Sequence, residues 1–97
     1  MKKYYVYILK CNDGSYYTGV TDNLEKRLQQ HYESTDLKSY VTRHKPFECV
    51  FYEEFDNPSN AIGREKQIKG WNRKKKEALI SGDWHELIKL SNRKSGL

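Results

Sequence analysis

Residues 3–11, KYYVYILKC, and residues 15–21, SYYTGVT, enclose the tripeptide NDG at positions 12–14. Both runs are rich in aromatic and β-branched residues, which favour strands. The segment between them has the residue types that tight hairpin turns require. Together they predict a β-hairpin at the start of the fold.

The length of the hairpin turn decides where two tyrosines point. Tyr7 and Tyr17 share one face of the sheet if the turn takes residues 12–14, with Gly14 in the left-handed conformation. A turn of only two residues, Asp13 and Gly14, places the tyrosines on opposite faces. Packing is the ordinary role of a strand tyrosine in a chain with eight tyrosines.

The next part of the chain predicts a helix, a loop and a strand. Asp22 and Glu25 form a capping-box pattern for a helix over about residues 23–33. Residues 34–46 are polar and predict a loop that is either mobile or functional. Residues 47–55, FECVFYEEF, alternate and predict the third strand.

Helices are predicted for the rest of the chain. Asn57 and Pro58 are typical of a helix start, and that helix runs to about Gly70. A further helix covers residues 72–81, and a capping pattern at Asp83 opens a short last one.

The order ββαβαα, with a short further C-terminal helix, predicts an α+β fold. In this fold helices flank a small three-stranded antiparallel sheet. One domain is expected over residues 1–90, and residues 91–97 are expected to form a flexible tail.

Composition narrows the class of protein. The 97 residues suit one compact domain, and their 13% aromatic content argues against disorder. The sequence has no apolar run of about 18 residues, so we expect neither a membrane span nor a secretion signal. Cys11 and Cys49 are isolated, which argues against a zinc ribbon or a disulfide scaffold and favours reduced thiols in the cytoplasm.

Positive charge is concentrated in residues 64–76, REKQIKGWNRKKK. This segment has seven basic residues and one acidic residue, a balance of +6, whereas the other 84 residues sum to −1. Such a concentration is expected of a protein that binds a polyanion such as nucleic acid. The alternative is a lysine-rich helix face that is merely solvated.

Three side chains on the predicted helices are candidates for chemistry. Glu65 shares the inward stripe of its helix with Ala61 and Ile68. A carboxylate facing a core needs a cation, hydrogen bonds or a metal ion, and a salt bridge to an arginine of the first helix is the simplest partner. Arg27 and His31 are one helical turn apart and should emerge at the rim of the sheet. A hydrogen-bonded boundary histidine is the ordinary alternative for His31.

These residues occur in a recognisable order and spacing. The sequence has Tyr5-Val6-Tyr7, then after a ten-residue step Tyr17-Thr18-Gly19, then Arg27 and His31 on the following helix and Glu65 on a later one. The pattern resembles the GIY-YIG nuclease family, and the whole chain resembles its small stand-alone bacterial members, the YhbQ-like proteins. Tyr5 and Thr18 depart from the family pattern, at positions to which no chemistry is assigned.

The resemblance implies a role for each of five residues. Tyr7 and Tyr17 would line the active site, and one of them would help to activate the attacking water. Arg27 would contact the scissile phosphate, and His31 would support a tyrosine hydroxyl or the phosphate. Glu65 would bind one divalent cation, Mg²⁺ or Mn²⁺, most readily together with substrate.

The substrate implied by the resemblance is nucleic acid, with DNA expected before RNA and a role in repair or recombination. Gly19 is expected to let the substrate backbone or the following helix approach closely. The chain has no zinc finger, homeodomain or RRM signature, so recognition by shape is expected, and a protein partner for targeting is an open option. The basic residues expected to bind substrate are Lys66, Lys69, Arg73, Lys74 and Lys75.

Two alternatives to a nuclease stay open. A non-catalytic nucleic-acid binding module would keep the scaffold and the basic segment. A protein-interaction domain would use exposed aromatic side chains instead and would show no salt-dependent affinity for nucleic acid.

Overall fold

The fold is a three-stranded antiparallel sheet flanked by five helices. A computed structural model describes the backbone of residues 2–95 and the side chains of residues 2–91. The elements are β1 (Tyr4–Cys11), β2 (Tyr16–Thr21), α1 (Leu24–Glu33), α2 (Tyr40–Arg43), β3 (Phe47–Phe55), α3 (Pro58–Lys69), α4 (Arg73–Ser81) and α5 (Trp84–Ser95). The strand order is β2-β1-β3. The predicted α+β class and sheet are confirmed.

The hairpin turn takes three residues. Gly14 has a φ of 84°, in the left-handed region that favours glycine, and the backbone N–H of Cys11 donates to the carbonyl of Ser15 at 2.9 Å. In the resulting register Tyr17 lies opposite Leu9. Because side chains alternate along a strand, Tyr7 shares the face of Leu9 and therefore that of Tyr17. The turn thus has the three residues that place Tyr7 and Tyr17 on the same face of the sheet.

Strand β1 is buried on both faces, so the molecule has two hydrophobic layers. Residues 6–9 of this central strand are each at most 1% exposed. One layer contains Val6 and Ile8 with Ala61, Ile68, Ala78, Leu79 and Leu87 of helices α3, α4 and α5. The other contains Tyr7, Leu9, Cys11, Val41 and Phe47, against which Leu24 and Leu28 of α1 pack. Helices α1 and α3 therefore lie on opposite faces of the sheet.

The helix starts follow the predicted capping chemistry with one correction. Asn57 caps α3 ahead of Pro58, as expected. The cap of α1 is Asn23, whose side chain accepts from the backbone N–H of Lys26 at 3.0 Å, and not Asp22. Helix α1 begins one residue later than the sequence predicted, so Asp22 is left to pair with Lys2 at 2.9 Å.

The segment 34–46 also differs from its prediction as a plain loop. It contains the short helix α2, which Ser39 caps, and Val41 of this helix is only 1% exposed in the second hydrophobic layer. A helix of four residues has too few turns to give a periodic pattern. Tertiary burial of Val41, which no local pattern shows, fixes it in place.

The C-terminal end is helical through Ser95. The sequence predicted a flexible tail over residues 91–97. The backbone of α5 covers residues 91–95 of that range, and residues 96 and 97 lie outside the described part. The flexibility of the segment stays a prediction. Among the described helices, none combines the length and the apolar character needed to cross a bilayer.

Gly63 offers a simple test of the α3 helix. Its backbone is helical, and a Cβ atom at this position would meet no heavy atom within 4 Å. Since glycine inside a helix costs about 1 kcal/mol relative to alanine, Gly63→Ala is expected to raise the free energy of unfolding by about that amount. Urea denaturation of the two proteins measures the difference. A loss of stability would show that α3 is not helical at this residue.

Candidate active site

The phenol of Tyr7 lies at the centre of the site, beneath its surface. Tyr7 is 1% exposed and pairs across the hairpin with Gly19. A Cβ atom on Gly19 would lie only 2.5 Å from both Cζ and the hydroxyl oxygen of Tyr7. Gly19 is therefore required so that the Tyr7 ring can cross over β2. The close approach expected at Gly19 is made by Tyr7, and contact of Gly19 with substrate stays a prediction.

Replacing Gly19 by alanine tests this packing. Because the new methyl group would collide with the Tyr7 ring, Gly19→Ala is expected to lower the free energy of unfolding by about 1–3 kcal/mol. Urea denaturation measures the change, and Gly63→Ala, with its opposite expected sign, is the matched control. Equal stability of Gly19→Ala and the wild type would mean that Tyr7 does not lie over this residue.

His31 of α1 holds the Tyr7 hydroxyl. The hydroxyl oxygen and Nε2 of His31 are 3.0 Å apart, and His31 is 5% exposed. Burial lowers the pKa of His31, and the positive charge of Arg27 lowers it further. The Nε2 atom of a neutral His31 can accept a hydrogen bond that the Tyr7 hydroxyl donates. The histidine is thus a buried partner of a tyrosine, which is one of the two roles that the resemblance implied for it.

Arg27 lies one helical turn before His31, beside both tyrosines. Burial raises the pKa of Tyr7, whereas the Arg27 guanidinium lowers it. The neighbouring Tyr7 hydroxyl in turn raises the pKa of Arg27. Nη1 of Arg27 also donates to Oε1 of Gln30 at 3.4 Å. The guanidinium is thus anchored from one side and keeps further N–H groups for an anion.

Tyr17 connects this cluster to the surface. Its ring centroid is 6.4 Å from that of Tyr7 and 5.7 Å from that of His31, and it stacks on Tyr40 of α2 at 6.3 Å. Tyr17, Arg27 and His31 line an open cleft of about 530 Å³, which we call the Arg27 cleft. Its other lining residues are Gln30, Ser34, Asp36, Ser39 and Tyr40. An anion in this cleft would meet both a guanidinium and a phenol.

Glu65 lies on α3, on the other face of the sheet from α1. It is 8% exposed, on the same buried stripe as Ala61 and Ile68, as its spacing predicted. Its carboxylate pairs with Nζ of Lys69 at 2.5 Å, one turn along the same helix. The salt bridge to an arginine of α1 that the sequence suggested is wrong, because the sheet separates the two helices.

Lys69, the partner of Glu65, lies at the edge of the sheet near the cluster. Strand β2 is an outer strand, and Lys69 lines a second cleft there together with Tyr17. The structure thus brings Tyr7, Tyr17, Arg27 and His31 together in one cluster. Glu65 joins them only indirectly, through its partner Lys69.

Much of the positive charge of residues 64–76 is already used within the protein. Nε of Arg64 pairs with Glu53 at 2.9 Å, and Nε of Arg73 pairs with Glu77 at 3.1 Å. Nζ of Lys75 lies 4.5 Å from the centroid of the Trp71 ring. Within the described residues, Lys66, Lys74 and Lys76 make no ion pair. Within this segment, these three lysines are therefore expected to provide most of the nonspecific electrostatic attraction for a polyanion.

Comparisons with known proteins agree with this geometry. The family model for the GIY-YIG catalytic domain matches residues 3–78. The chain belongs to the GIY-YIG family. GIY-YIG domains are nuclease domains, so membership implies an endonuclease-like function on nucleic acid.

Relatives of the GIY-YIG chain include several UPF0213 proteins. One from Staphylococcus saprophyticus is 44% identical over 84% of this chain and 98% of its own length. One from Clostridium perfringens is 47% identical over 79% of this chain and 82% of its own length. The similarity thus covers about four fifths of this chain and more than four fifths of each relative.

Two solved structures share the GIY-YIG fold of this chain. The solution structure of a UPF0213 protein from Bacillus halodurans is 36% identical, has a TM-score of 0.55, and covers 92% of this chain and 97% of that one. The solution structure of a protein from E. faecalis is 34% identical, has a TM-score of 0.61, and covers 84% and 86% of the two chains.

The sequence missed one residue of this GIY-YIG site. Tyr40 stacks on Tyr17 and on His44, at 6.3 Å and 4.1 Å between ring centroids, and its hydroxyl donates to Oγ of Ser15 at 2.5 Å. It lines both clefts. The only sequence signal was an aromatic residue within an otherwise polar loop. Residues 34–46 were predicted to be either mobile or functional, and a functional role for them stays a prediction.

Proposed function

We propose that this GIY-YIG protein is a divalent-metal-dependent endonuclease that hydrolyses phosphodiester bonds in nucleic acid. The observation that carries the proposal is the convergence of Arg27, Tyr17 and His31 on one open cleft. A guanidinium presents several N–H donors in a plane and suits a phosphate better than most other ligands. A phenol beside it can hold the attacking water.

Hydrolysis divides the work among these side chains. A water oxygen bonds to phosphorus as the bond from phosphorus to the leaving oxygen breaks, and the proton that the water loses passes through solvent to the leaving oxygen. Negative charge grows on the nonbridging oxygens, where Arg27 can stabilise it. We assign contact with the water to Tyr17, because Tyr17 lines the cleft whereas Tyr7 is 1% exposed. Tyr7 then acts as a positioning residue through His31.

The residues present fit a divalent ion that arrives with substrate. The described residues contain no group of three or more potential metal-ligating side chains. The candidate ligand is the single carboxylate of Glu65, to which the family resemblance assigns the ion. Mg²⁺ is commonly bound by one or two carboxylates, with water and substrate phosphate as the remaining ligands. When bound, Mg²⁺ or Mn²⁺ would supply Lewis-acid stabilisation of the phosphate. Glu65 would have to exchange its contact with Lys69 for the ion.

The mode of recognition follows from where the donors lie. Within residues 64–76, three lysines of the described part make neither an ion pair nor a cation–π contact: Lys66, Lys74 and Lys76. Their ammonium groups are suited to backbone phosphates. We therefore propose recognition of nucleic acid by charge and shape. The family resemblance, and not the position of the lysines, is our reason to propose DNA as the substrate, a role in repair or recombination, and a protein partner for targeting. Affinity should fall steeply as salt concentration rises.

We also propose that the protein works in the cytoplasm, on the basis of its thiols. Cys11 and Cys49 are both free. Burial raises the pKa of each thiol, which keeps both protonated and weakly reactive. A reducing compartment suits such side chains.

The test of the proposed function is a cleavage assay with labelled branched, nicked and single-stranded DNA and with RNA. The purified protein is expected to cut at least one DNA substrate in Mg²⁺ or Mn²⁺, and cutting should stop when EDTA is added. Cleavage that continues in EDTA would overturn the metal requirement. RNA cut in preference to every DNA would overturn the choice of substrate.

One observation favours a second candidate function. Glu65 is already paired with Lys69, and a carboxylate held in this way has no need of a metal ion. A non-catalytic nucleic-acid binding module would keep the Arg27 cleft and the basic segment. It would show salt-sensitive binding of DNA without any metal-dependent product.

A further inference from the structure

A second cleft lies beside the Arg27 cleft, at the outer edge of β2. It has a volume of about 400 Å³, and we call it the edge cleft. Its lining residues are Tyr16, Tyr17, Thr18, Tyr40, Lys69 and Lys76. Tyr17 and Tyr40 line both clefts, so the two are adjacent. A ligand that fills the Arg27 cleft can extend into the edge cleft past these two rings.

The edge cleft is positively charged. Its lining includes two lysines from different helices, Lys69 of α3 and Lys76 of α4, and no acidic side chain. An ammonium group has three N–H donors, so Lys69 can keep its contact with Glu65 and still donate to a ligand. Lys76 has no ion-pair partner in the part of the chain that the structure describes. Both ammonium groups are thus suited to an anion.

Thr18 gives an independent indication of a ligand. It is 3% exposed, and its hydroxyl oxygen has no hydrogen-bond partner among the described residues. Leaving a buried hydroxyl without a partner costs free energy that a valine of the same shape would avoid. Thr18 lines the edge cleft together with Lys69 and Lys76, and a hydroxyl and two ammonium groups are a donor set for an oxyanion.

The aromatic rings around the cleft already have partners within the protein. Arg73 lies over the ring of Tyr16 at 4.7 Å. Tyr40 is stacked on His44 at 4.1 Å and on Tyr17 at 6.3 Å. Base stacking needs an open ring face. The edge cleft therefore favours the phosphate of a nucleotide over its base.

We propose that Thr18, Lys69 and Lys76 form a second phosphate subsite, which binds the backbone phosphate next to the one held in the Arg27 cleft. The inference rests on the proposed function, because it assumes that the Arg27 cleft receives a phosphate. It adds that the protein grips two consecutive phosphates of one strand across the edge of the sheet. Lys76 lies on a different helix from Lys69. It was not among the basic residues that the sequence predicted to bind substrate.

The probe is one nucleoside that carries two phosphates. Thymidine 3′,5′-bisphosphate is titrated into the full ¹⁵N-labelled chain in EDTA, and thymidine 5′-monophosphate and 3′-monophosphate are titrated in parallel. The bisphosphate is expected to bind about tenfold more tightly than either monophosphate, since one further charge-assisted contact forms. Amide shifts should include residues of β2 and α4. Equal affinities, or no binding at all, would overturn the subsite.

Three variants separate the subsite from general attraction. Lys76→Gln is expected to bring the bisphosphate down to the affinity of the monophosphates. Thr18→Val keeps the shape of the side chain. It is expected to reduce the difference in affinity between the bisphosphate and the monophosphates without loss of stability. Lys74→Gln removes the same charge from the same helix, but outside the cleft. It should lower the affinity for all three ligands by the same factor and leave the preference for the bisphosphate unchanged. A preference that survives Lys76→Gln would overturn the proposal.

Failure of the subsite is distinguishable from failure of the proposed function. If wild-type protein cuts DNA in Mg²⁺ but shows no preference for the bisphosphate, the subsite is wrong and the endonuclease stands. If the preference is present and depends on Lys76 but no substrate is cut, the two-phosphate grip stands and belongs to a binding module.

Discussion

Replacing Glu65 by glutamine is expected to remove metal-dependent cleavage. Glutamine keeps the shape of the side chain but loses the charge that would hold the divalent ion. A bound metal ion contributes several kcal/mol to phosphoryl chemistry, and each ~1.4 kcal/mol corresponds to a factor of ten in rate. The cleavage rate in Mg²⁺ should therefore fall at least about 100-fold. Gel assays under single-turnover conditions measure it.

The same variant is expected to remain folded. The Glu65 side chain is 11% exposed, whereas that of its partner Lys69 is 55% exposed, so Lys69 can turn to water when the pair is broken. Burial of a neutral amide in place of a charge also lowers the desolvation cost. The thermal midpoint of Glu65→Gln should therefore stay within a few degrees of the wild type, and a loss of cleavage would not reflect unfolding.

Glu53→Gln is the matched control for this experiment. Glu53 is also a partly buried acid paired with a cation of α3, Arg64, but it lies on β3 and outside both clefts. The Glu53→Gln variant should cleave DNA at the wild-type rate within a small factor. If Glu65→Gln cleaved as fast as Glu53→Gln, the carboxylate of Glu65 would have no part in the reaction.

The hairpin could be read from the sequence because its determinants are local. The residues that set the register lie within positions 12–14, and the left-handed Gly14 is the conformation that a three-residue turn requires. The shared face of Tyr7 and Tyr17 follows from the three-residue form of the turn, which the structure has and which the sequence left open against a two-residue turn. The buried position of Glu65 was equally accessible, since the helical period alone places it beside Ala61 and Ile68.

Other parts of the site depend on contacts between residues far apart in the chain, which no local pattern contains. The stacking of Tyr40 on Tyr17 joins residues of α2 and β2, and the edge cleft joins Thr18 to Lys76. The partner of Glu65 could not be chosen correctly either. Only the packing of α1 and α3 on opposite faces of the sheet excludes an arginine of α1.

Replacing Arg27 by alanine has the second large expected effect. Arg27 is the cation that the Arg27 cleft offers to the charge developing on the phosphate. Removing one such donor lowers the rate of a reaction by a factor of about 100 to 1,000. Arg27→Ala should lose cleavage to that extent in Mg²⁺. Lys26→Ala, which removes the same charge from the neighbouring exposed position of α1, should stay close to the wild-type rate.

Arg27→Ala also has a signature that does not depend on activity. The charge of Arg27 adds to burial in lowering the pKa of His31, so the pKa of His31 should rise towards its ordinary value near 6.5 in the variant. A histidine with a lowered pKa in the folded state contributes stability at neutral pH that is lost as the pH falls below about 6.5. This loss should therefore be smaller in Arg27→Ala than in the wild type.

NMR titration of the His31 imidazole gives that pKa directly, with Lys26→Ala as the reference. A rise in Arg27→Ala alone places the guanidinium next to His31 in solution, whatever the cleavage assay shows. An unchanged pKa together with full cleavage would mean that Arg27 points away from the Tyr7–His31 pair, and the Arg27 cleft would then lack its cation. An unchanged pKa with cleavage lost would leave Arg27 as a phosphate ligand that lies too far from His31 to affect its charge.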